Sequence, residues 1–200
     1  MFDKVIVIDC KGHLLGRVAA LAAKEILNGQ KIVFVRAEEM NISGSLQRNV
    51  LLHSHSIKKR MNTNHRRGPF HFCAPSRFLY FALRGMIPYK TTRGKIALRR
   101  VKIYEGVPPR YQKVKKLVIP GALTVLRLKP GRKFTRVGDL AQKFGWKYGS
   151  LVAKLEEKRK IASKADYTKK TTKQREVAKN VVAKAAQLKD INAKLAKLGY

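Results

Sequence analysis

The chain has 200 residues, and its 45 lysines and arginines outnumber its 12 aspartates and glutamates, which gives a formal net charge of +33. Hydrophobic residues make up 44% of the chain, so it has enough apolar side chains to build a core and is not disordered throughout. This much positive charge repels itself unless a polyanion neutralises it, and nucleic acid is the commonest polyanion. The composition therefore argues against a metabolic enzyme with a small substrate.

The first fifty residues predict an α/β unit that is almost neutral. Residues 4–9 and 31–36 are continuous β-branched runs, which are typical of parallel strands buried on both faces. Between them, apolar residues recur at helical spacing from Leu14 to Leu27, and Asn28-Gly29 ends the helix. Since the segment holds seven basic and five acidic residues, a conventional βαβ unit can fold there.

Shorter patterns complete the predicted core. A second helix begins at Ser43 or Ser45 and runs through Leu52. Further helices are expected at 76–86, 92–100 and 136–144, and further strands at 101–104, 117–120 and 123–128. We therefore expect an α/β fold: a three-layer core with a mainly parallel sheet of about four strands flanked by helices, followed by a C-terminal helical extension.

The composition changes near residue 150, where Ala, Lys, Glu and Gln become dominant. We predict two domains, an α/β core over 1–149 and a lysine-rich helical extension over 150–200. In the extension, a helix at 150–161 and a polar linker at 163–173 precede a long helix with an apolar stripe at Val177, Val181, Ala185, Leu188, Ile191, Leu195 and Leu198. The stripe can pack on its own domain or on a protein neighbour. Membrane binding is disfavoured, because the stripe lacks Trp and Phe.

Cysteine content and the N-terminal sequence indicate a reducing, intracellular environment. Cys10 and Cys73 are too few for a disulfide framework, and Cys10 ends an apolar run that is expected to be buried. The apolar run near the N-terminus is short and broken by charge, so it predicts neither a signal peptide nor a membrane span.

The clearest functional signal is a basic segment without acidic residues. No carboxylate occurs between Glu39 and Glu105, whereas residues 51–100 hold twelve basic residues. Guanidinium groups bind phosphate, and aromatic and imidazole rings stack on unpaired bases. The segment therefore favours contact with RNA or DNA over a merely solvated loop. The first group of candidate contact residues is Arg60, His65, Arg66, Arg67, Phe70, His71 and Phe72. Arg84, Lys90, Arg93, Lys95, Arg99 and Arg100 extend this surface, and Arg132, Lys133 and Lys147 complete the candidate set.

The sequence shows no known catalytic or cofactor-binding motif at the turn between the first strand and the first helix. The turn from Gly12 to Arg17 matches neither GxGxxG nor GxxxxGK[ST]. We interpret it as a tight turn in which Gly16 allows close packing of helix on sheet, in preference to a nucleotide site. Asp9 is the one well-placed carboxylate, and a structural hydrogen bond explains it better than catalysis. We therefore expect no enzymatic activity and no cofactor.

We also expect no zinc site. His53, His55, His65, His71 and Cys73 cluster in sequence, but their spacing fits no compact metal site and no CxxC accompanies them.

Five stretches of the sequence resemble the large-subunit ribosomal protein thirteen family in its archaeal and eukaryotic form. They are VIDCKGHLLGRVAA at 7–20, NGQKIVFVRAEEMNISG at 28–44, RRGPFHFCAPSRFLY at 66–80, RGMIPYKTTRGKIALRRVKIYEGVPP at 84–109 and GWKYGSLVAKLEEKRK at 145–160. Together they cover most of the first 160 residues. The helix after residue 163 is similar to the extension of the eukaryotic members.

The resemblance implies a structural constituent of the large ribosomal subunit with a parallel-sheet core placed on ribosomal RNA and no catalytic role. It implies RNA contact at Arg66, Arg67, Gly68, Arg84, Lys90, Arg93 and Gly94. Neighbouring ribosomal proteins are expected partners, one of them through the C-terminal helix; no membrane and no small-molecule substrate are expected. The expected location is the cytoplasmic ribosome, with nuclear and nucleolar passage during assembly. The alternatives are a nucleotide-dependent RNA-modifying enzyme and an mRNA-binding regulator away from the ribosome.

Overall fold

A computed structural model describes residues 4–199, and all their side chains except those at 186, 187 and 190. The strands are β1 (Ile6–Asp9), β2 (Ile32–Val35), β3 (Asn41–Ser43), β4 (Val101–Ile103) and β5 (Phe134–Arg136). The helices are α1 (Leu15–Leu27), α2 (Leu46–Lys58), α3 (Pro75–Met86), α4 (Thr92–Arg99), α5 (Pro109–Gln112), α6 (Thr124–Arg127), α7 (Val137–Lys143) and α8 (Gly149–Lys197). The chain divides into two compact units, one up to Ala153 and one from Lys154.

The first unit is built on a parallel sheet with the strand order β1-β2-β4. Both strand pairs are parallel, with Ile6 opposite Ile32 and Ile32 opposite Val101. All three strands therefore run in the same direction, and β2 lies in the centre. All four residues of β2 are buried, as expected for a strand covered on both faces. The predicted α/β class, with helices flanking a mainly parallel sheet and a C-terminal helix, is confirmed.

Alternate residues of the strands face two different apolar clusters. Ile8, Ile32 and Phe34 pack on the side covered by α1 and α3, where Val18 and Leu79 are fully buried. The residues between them on the strands, such as Val33, face a smaller cluster completed by Val107 and Tyr111. This alternation follows from the two-residue period of a strand.

A second, two-stranded sheet was not predicted. The strands β3 and β5 pair antiparallel, with Asn41 opposite Arg136 and Ser43 opposite Phe134. Helix α2 is tied to this sheet because the Asn49 side-chain amide donates to the Thr135 hydroxyl over 2.9 Å. Each strand has only three residues, which is too short for a period-two pattern to be recognised. The predicted cap of α2 is Ser45, whose hydroxyl accepts from the Arg48 N–H.

Two of the predicted strands are different in the structure. The segment at 117–120 contributes one parallel bridge between Leu117 and Ile8, which occupies the place of a fourth strand beside β1. The strand expected at 123–128 is wrong: Thr124–Arg127 form the one-turn helix α6. The Thr124 N–H and hydroxyl both donate to the Gly12 carbonyl, over 2.9 and 2.7 Å. These bonds fix Thr124 against the turn after β1 instead of in a sheet.

The polar linker expected at 163–173 is also wrong, because α8 is continuous over 49 residues, a length of about 73 Å. No Gly or Pro interrupts this segment. The polar residues that suggested a linker bond back to the helix, as Thr172 does by donating to the Thr168 carbonyl over 3.1 Å. In the second unit of the chain the stripe residues are exposed, and the exposed fraction of the Val, Leu and Ile side chains lies between 41% for Leu195 and 74% for Leu198.

Gly94 lies where α4 passes close to the preceding turn, and a Cβ atom there would be 2.0 Å from the Pro88 carbonyl oxygen. We predict that Gly94→Ala destabilises the fold by about 2–4 kcal/mol, because the backbone of the turn must move. Urea unfolding measures this change. In the matched control, Gly85→Ala, a new Cβ meets no atom within 4 Å, so that variant gains about 0.5–1 kcal/mol from helix propensity. Equal stabilities for the two variants would contradict this packing.

Candidate nucleic-acid interface

The structure places the predicted site residues in separate parts of the first unit. Arg60, His65, Arg66, Arg67, Gly68, Phe70 and His71 lie between α2 and α3, in residues 59–73, which we call the basic loop. Arg84, Lys90, Arg93, Gly94, Lys95, Arg99 and Arg100 extend from the end of α3 to the end of α4. Arg132 and Lys133 lie in the turn before β5, and Lys147 lies between α7 and α8. The first two groups flank α3, whereas the last three residues are on other elements.

The basic loop is folded back on itself by bonds to its own backbone. Helix α2 continues to Lys58, so the basic loop begins directly after the helix. The His71 Nε2 donates to the Lys59 carbonyl over 2.9 Å, and the His65 Nδ1 donates to the Met61 carbonyl over 2.7 Å. A Cβ on Gly68 would be 2.6 Å from the Met61 nitrogen, so this close approach of two backbone segments requires glycine.

The cations of the basic loop are left available by this arrangement. Arg60, Arg66 and Arg67 are exposed. Among residues 4–199, salt bridges are formed by Lys11, Arg36 and Arg159 and by none of the site cations. The loop therefore presents guanidinium groups to solvent with no carboxylate bound to them.

Aromatic rings of α3 continue the surface of the loop, and the candidate set did not include Arg77, Phe78, Tyr80 or Phe81. The rings of Phe72 and Phe81 lie 6.4 Å apart at 21°. The Arg77 guanidinium lies 5.0 Å from the centre of Phe72 and 5.7 Å from that of Tyr80, which are cation–π distances. The helical spacing of Arg77, Tyr80 and Phe81 is the signal that could have placed them on one face.

These rings enclose one side of a cavity of about 350 Å³, which we call the aromatic cavity. It is lined by α2, the basic loop and α3, through His53, Ser56, Phe70, His71, Phe72, Phe78 and Phe81. The His53 ring lies 4.8 Å from that of Phe78 and 4.5 Å from that of Phe144. Its Nε2 is shielded from solvent and has no hydrogen-bond partner. Burial lowers the pKa of His53 below its ordinary range, and the neighbouring His71 adds to this effect.

The second group combines exposed cations with structural residues. Arg93, Lys95 and Arg99 on α4 are exposed, as is Lys90 before it. The Arg84 guanidinium lies 4.0 Å from the centre of the Tyr89 ring, which orients it. By contrast, Arg100 donates to the Ile26 carbonyl near the end of α1 over 3.2 Å, and Gly94 is buried. Arg100 and Gly94 therefore each have a structural role in the fold.

The remaining three candidates lie apart from these groups. Arg132 and Lys133 are exposed beside Gly131, which adopts a φ of 77° in the turn before β5. The Lys133 carbonyl accepts from the Gly44 N–H over 2.9 Å, which places this turn at the start of α2. Lys147 is exposed.

The turn after β1 is already occupied by internal hydrogen bonds. The N–H groups of Gly12, His13 and Leu14 donate to the carbonyls of Glu39, Cys10 and Ala122, so these amides do not form an open phosphate cradle. The interpretation of Gly16 as a close-packing glycine is wrong: it is exposed, and a Cβ there meets nothing within 4 Å. The glycine that the turn requires is Gly12, with a φ of 68°.

The carboxylates at this end of the sheet have structural partners. Asp9 is paired with Arg36 and accepts from the Lys11 N–H over 3.2 Å, so the expected structural role of Asp9 is confirmed. The buried Glu38 accepts from the Gly106 N–H over 2.9 and 3.1 Å. Burial raises the pKa of the Cys10 thiol, with Asp9 contributing, which keeps this thiol in its unreactive protonated form.

Within residues 4–199, no three His, Cys, Asp or Glu residues lie close enough together to hold a metal ion. No helix in the same range is long and apolar enough to cross a membrane. Cys10 and Cys73 are both free thiols.

We predict that His53 makes the fold less stable in mild acid. A depressed pKa means that the unfolded chain binds this proton more readily than the native one, so stability is complete above the ordinary histidine pKa and declines as the pH falls below it. In urea unfolding, the free energy of unfolding of His53→Phe should fall less than that of the wild type between about pH 7 and pH 5. Phe keeps the ring contacts to Phe78 and Phe144. An identical decline in both proteins would contradict the depressed pKa.

The amino-acid sequence of the first unit is similar to that of a known protein family. A family model described as ribosomal protein L13 matches residues 3–110, a stretch that includes β1 to β4, the basic loop and α4. Since the match covers more than half of the 200 residues, the chain belongs to the ribosomal protein L13 family, and it is a structural protein of the large ribosomal subunit.

Proposed function

We propose that this chain binds and stabilises folded large-subunit ribosomal RNA through the basic loop and the exposed face of α4. The observation that carries the proposal is the exposed, unpaired state of Arg60, Arg66 and Arg67 in a segment without carboxylates. Exposed cations that lack internal partners gain most from phosphate, because each contact releases a condensed counterion. Family membership supports this, since ribosomal proteins of this family associate with ribosomal RNA and with other ribosomal proteins.

Under this proposal, some of the predicted residues contact RNA and others maintain the shape of the surface. The exposed cations Arg93, Lys95 and Arg99 on α4, with Lys90 before it, bind phosphate beside the basic loop. Arg84 is held on Tyr89 at 4.0 Å, where its position is fixed before RNA arrives. Gly68, Gly94 and Arg100 act as supports, because their close backbone approaches and the Arg100 cap on α1 give the surface its shape.

The turn before β5 and Lys147 provide further phosphate contacts at other places on the first unit. Both cations of that turn are exposed, as Lys147 is. RNA that folds around a protein touches it from several directions, and shape recognition of this kind uses phosphate and sugar more than base edges.

The second unit is proposed to reach a neighbouring ribosomal protein or RNA segment. Its helix exposes an apolar stripe that includes Val181, Ile191 and Leu195, and exposed lysines accompany the stripe. An amphipathic helix of this kind docks by its apolar face while its cations contact phosphate. We also propose that the chain is the archaeal and eukaryotic form of the family, in cytoplasmic ribosomes that assemble through the nucleolus, because the segment at 145–160 and the long helix resemble that form.

The nucleotide-dependent enzyme gains no support from the structure. The turn after β1, where a nucleotide would bind, has amides that already donate to carbonyls of this chain. The carboxylates nearby bond to Arg36 and to the Gly106 N–H. No observation in the described residues favours the mRNA-binding regulator either. Cells with an epitope-tagged chain distinguish these functions by sedimentation: we expect near-stoichiometric presence in large subunits that survives moderate salt. A predominantly free pool would contradict the proposal.

We predict that the double variant Arg66→Gln/Arg67→Gln weakens binding to ribosomal RNA fragments in a salt-dependent way. Two lost phosphate contacts reduce the slope of log affinity against log salt by about 1.4–1.8. Filter binding of the full chain at several salt concentrations measures the slope. The matched control is Lys24→Gln/Lys31→Gln, which removes two exposed cations from the nearly neutral βαβ unit. Equal slopes for both variants would show that the basic loop is not the phosphate-binding surface.

A further inference from the structure

The aromatic cavity lies inside the proposed RNA surface, and phosphate contacts do not explain its chemistry. Phe70 and Phe72 are 70% and 49% exposed, and Phe81 is 39% exposed. Exposed phenylalanines cost free energy in water, and a contiguous group of them marks a binding site more often than single ones do. Contact with phosphate groups does not offset this free energy, because a phenyl ring forms no hydrogen bond with them.

We propose that the aromatic cavity holds one unstacked nucleobase from a single-stranded segment of RNA, with the base stacked on the Phe70–Phe72–Phe81 rings. The inference rests on the proposed function and adds to it a defined site for a base. It also brings in His53, Phe78 and Phe81, which lie on the two helices beside the basic loop.

The size of the cavity favours a single nucleotide. At about 350 Å³, it is at the lower end of the range of about 300–1,000 Å³ that small ligands occupy. A helical segment or a hairpin is too large for it. Stacking on aromatic rings tolerates any base, because every base has a π-face, so the cavity has no need of sequence-specific contacts to be occupied.

Charge around the cavity favours RNA over an apolar side chain of a protein. Arg77 lies over Phe72 at 5.0 Å, and Lys58, Lys59 and Arg60 are exposed where α2 meets the basic loop. The chain from residue 40 to residue 104 contains no carboxylate. A nucleotide brings the phosphate that these cations bind along with the base that the rings bind, whereas a Leu or Phe of a protein satisfies the rings alone.

The histidines of the cavity supply polar groups suited to a base. His53 has an unpartnered Nε2, and its burial favours the neutral imidazole. A neutral imidazole has one donor and one acceptor, which is the combination found on the edges of bases. His71 is already fixed by its bond to the Lys59 carbonyl, so it forms a rigid wall.

The test compares single-stranded with duplex RNA. The probes are an oligouridylate of about ten nucleotides, whose bases are free to leave the strand, and an RNA duplex of the same length, whose bases are stacked. Phe72→Leu in the full chain should lower the affinity for the single strand roughly tenfold and leave the affinity for the duplex unchanged. The matched control is Phe134→Leu, since Phe134 is 51% exposed in β5 and does not line the cavity. Phe70→Leu serves as a second variant, and circular dichroism confirms that each variant is folded.

Several outcomes separate this inference from the proposed function. If Phe72→Leu and Phe134→Leu bind the single strand alike while the wild type keeps its salt dependence, the base site is overturned and the phosphate surface stands. If no RNA binds in a salt-dependent way, both fail. If Phe72→Leu impairs entry into large subunits without affecting RNA binding, the cavity holds a protein side chain instead. In the wild type, an oligomer of 4-thiouridine should cross-link to residues 70–81 on irradiation, and cross-links only elsewhere would overturn the base site.

Discussion

Repulsion among cations that have no carboxylate partners within residues 4–199 determines how the surface of the first unit is built. Residues 51–100 carry twelve basic residues and no acidic one, so folding alone cannot neutralise them. Like charges held close together on a compact domain raise its free energy, and a polyanion removes this cost when it binds. Under the proposed function, RNA that covers the exposed basic loop and the exposed face of α4 lowers this free energy.

The first βαβ unit makes this arrangement possible by remaining nearly neutral. Its carboxylates are used internally: Asp9 pairs with Arg36, and Glu38 accepts from the Gly106 N–H. The parallel sheet then forms an ordinary apolar core around β2, which is buried throughout. Cations lie on the exposed faces of α3 and α4, away from this core. Hydrogen bonds within the basic loop fix its shape but leave its positive charges unneutralised.

The sequence was most informative where one physical signal acts alone. Continuous apolar runs predicted β1 and β2, and helical spacing predicted α1, because burial on both faces or on one stripe dictates these patterns. The sequence was misleading where a residue distant in the chain determines the local structure. Thr124 donates a hydrogen bond to the Gly12 carbonyl, and the segment expected to be a strand forms helix α6 instead. The linker expected at 163–173 is wrong for a different reason: polar side chains alone do not end a helix, and the segment contains no Gly or Pro.

The candidate site was predictable as a set of basic and aromatic residues but not as a geometry. His53 meets Phe78 and Phe144 only after α2, α3 and α7 have packed, so no local pattern could place it at a cavity. Likewise, the resemblance pointed to Gly94 and the basic pattern pointed to Arg100, and neither could show that close packing and a helix cap account for them. Motifs shared with a family mix residues that hold the fold with residues that touch its partner.

Ultraviolet cross-linking of purified large ribosomal subunits, followed by mass spectrometry of the cross-linked peptides, shows which segments of this chain contact ribosomal RNA. We expect the RNA-linked peptides of this chain to come mainly from residues 59–73 and 84–100, which contain the exposed, unpaired cations. Cross-links confined to the second unit, with none in the basic loop or α4, would contradict it.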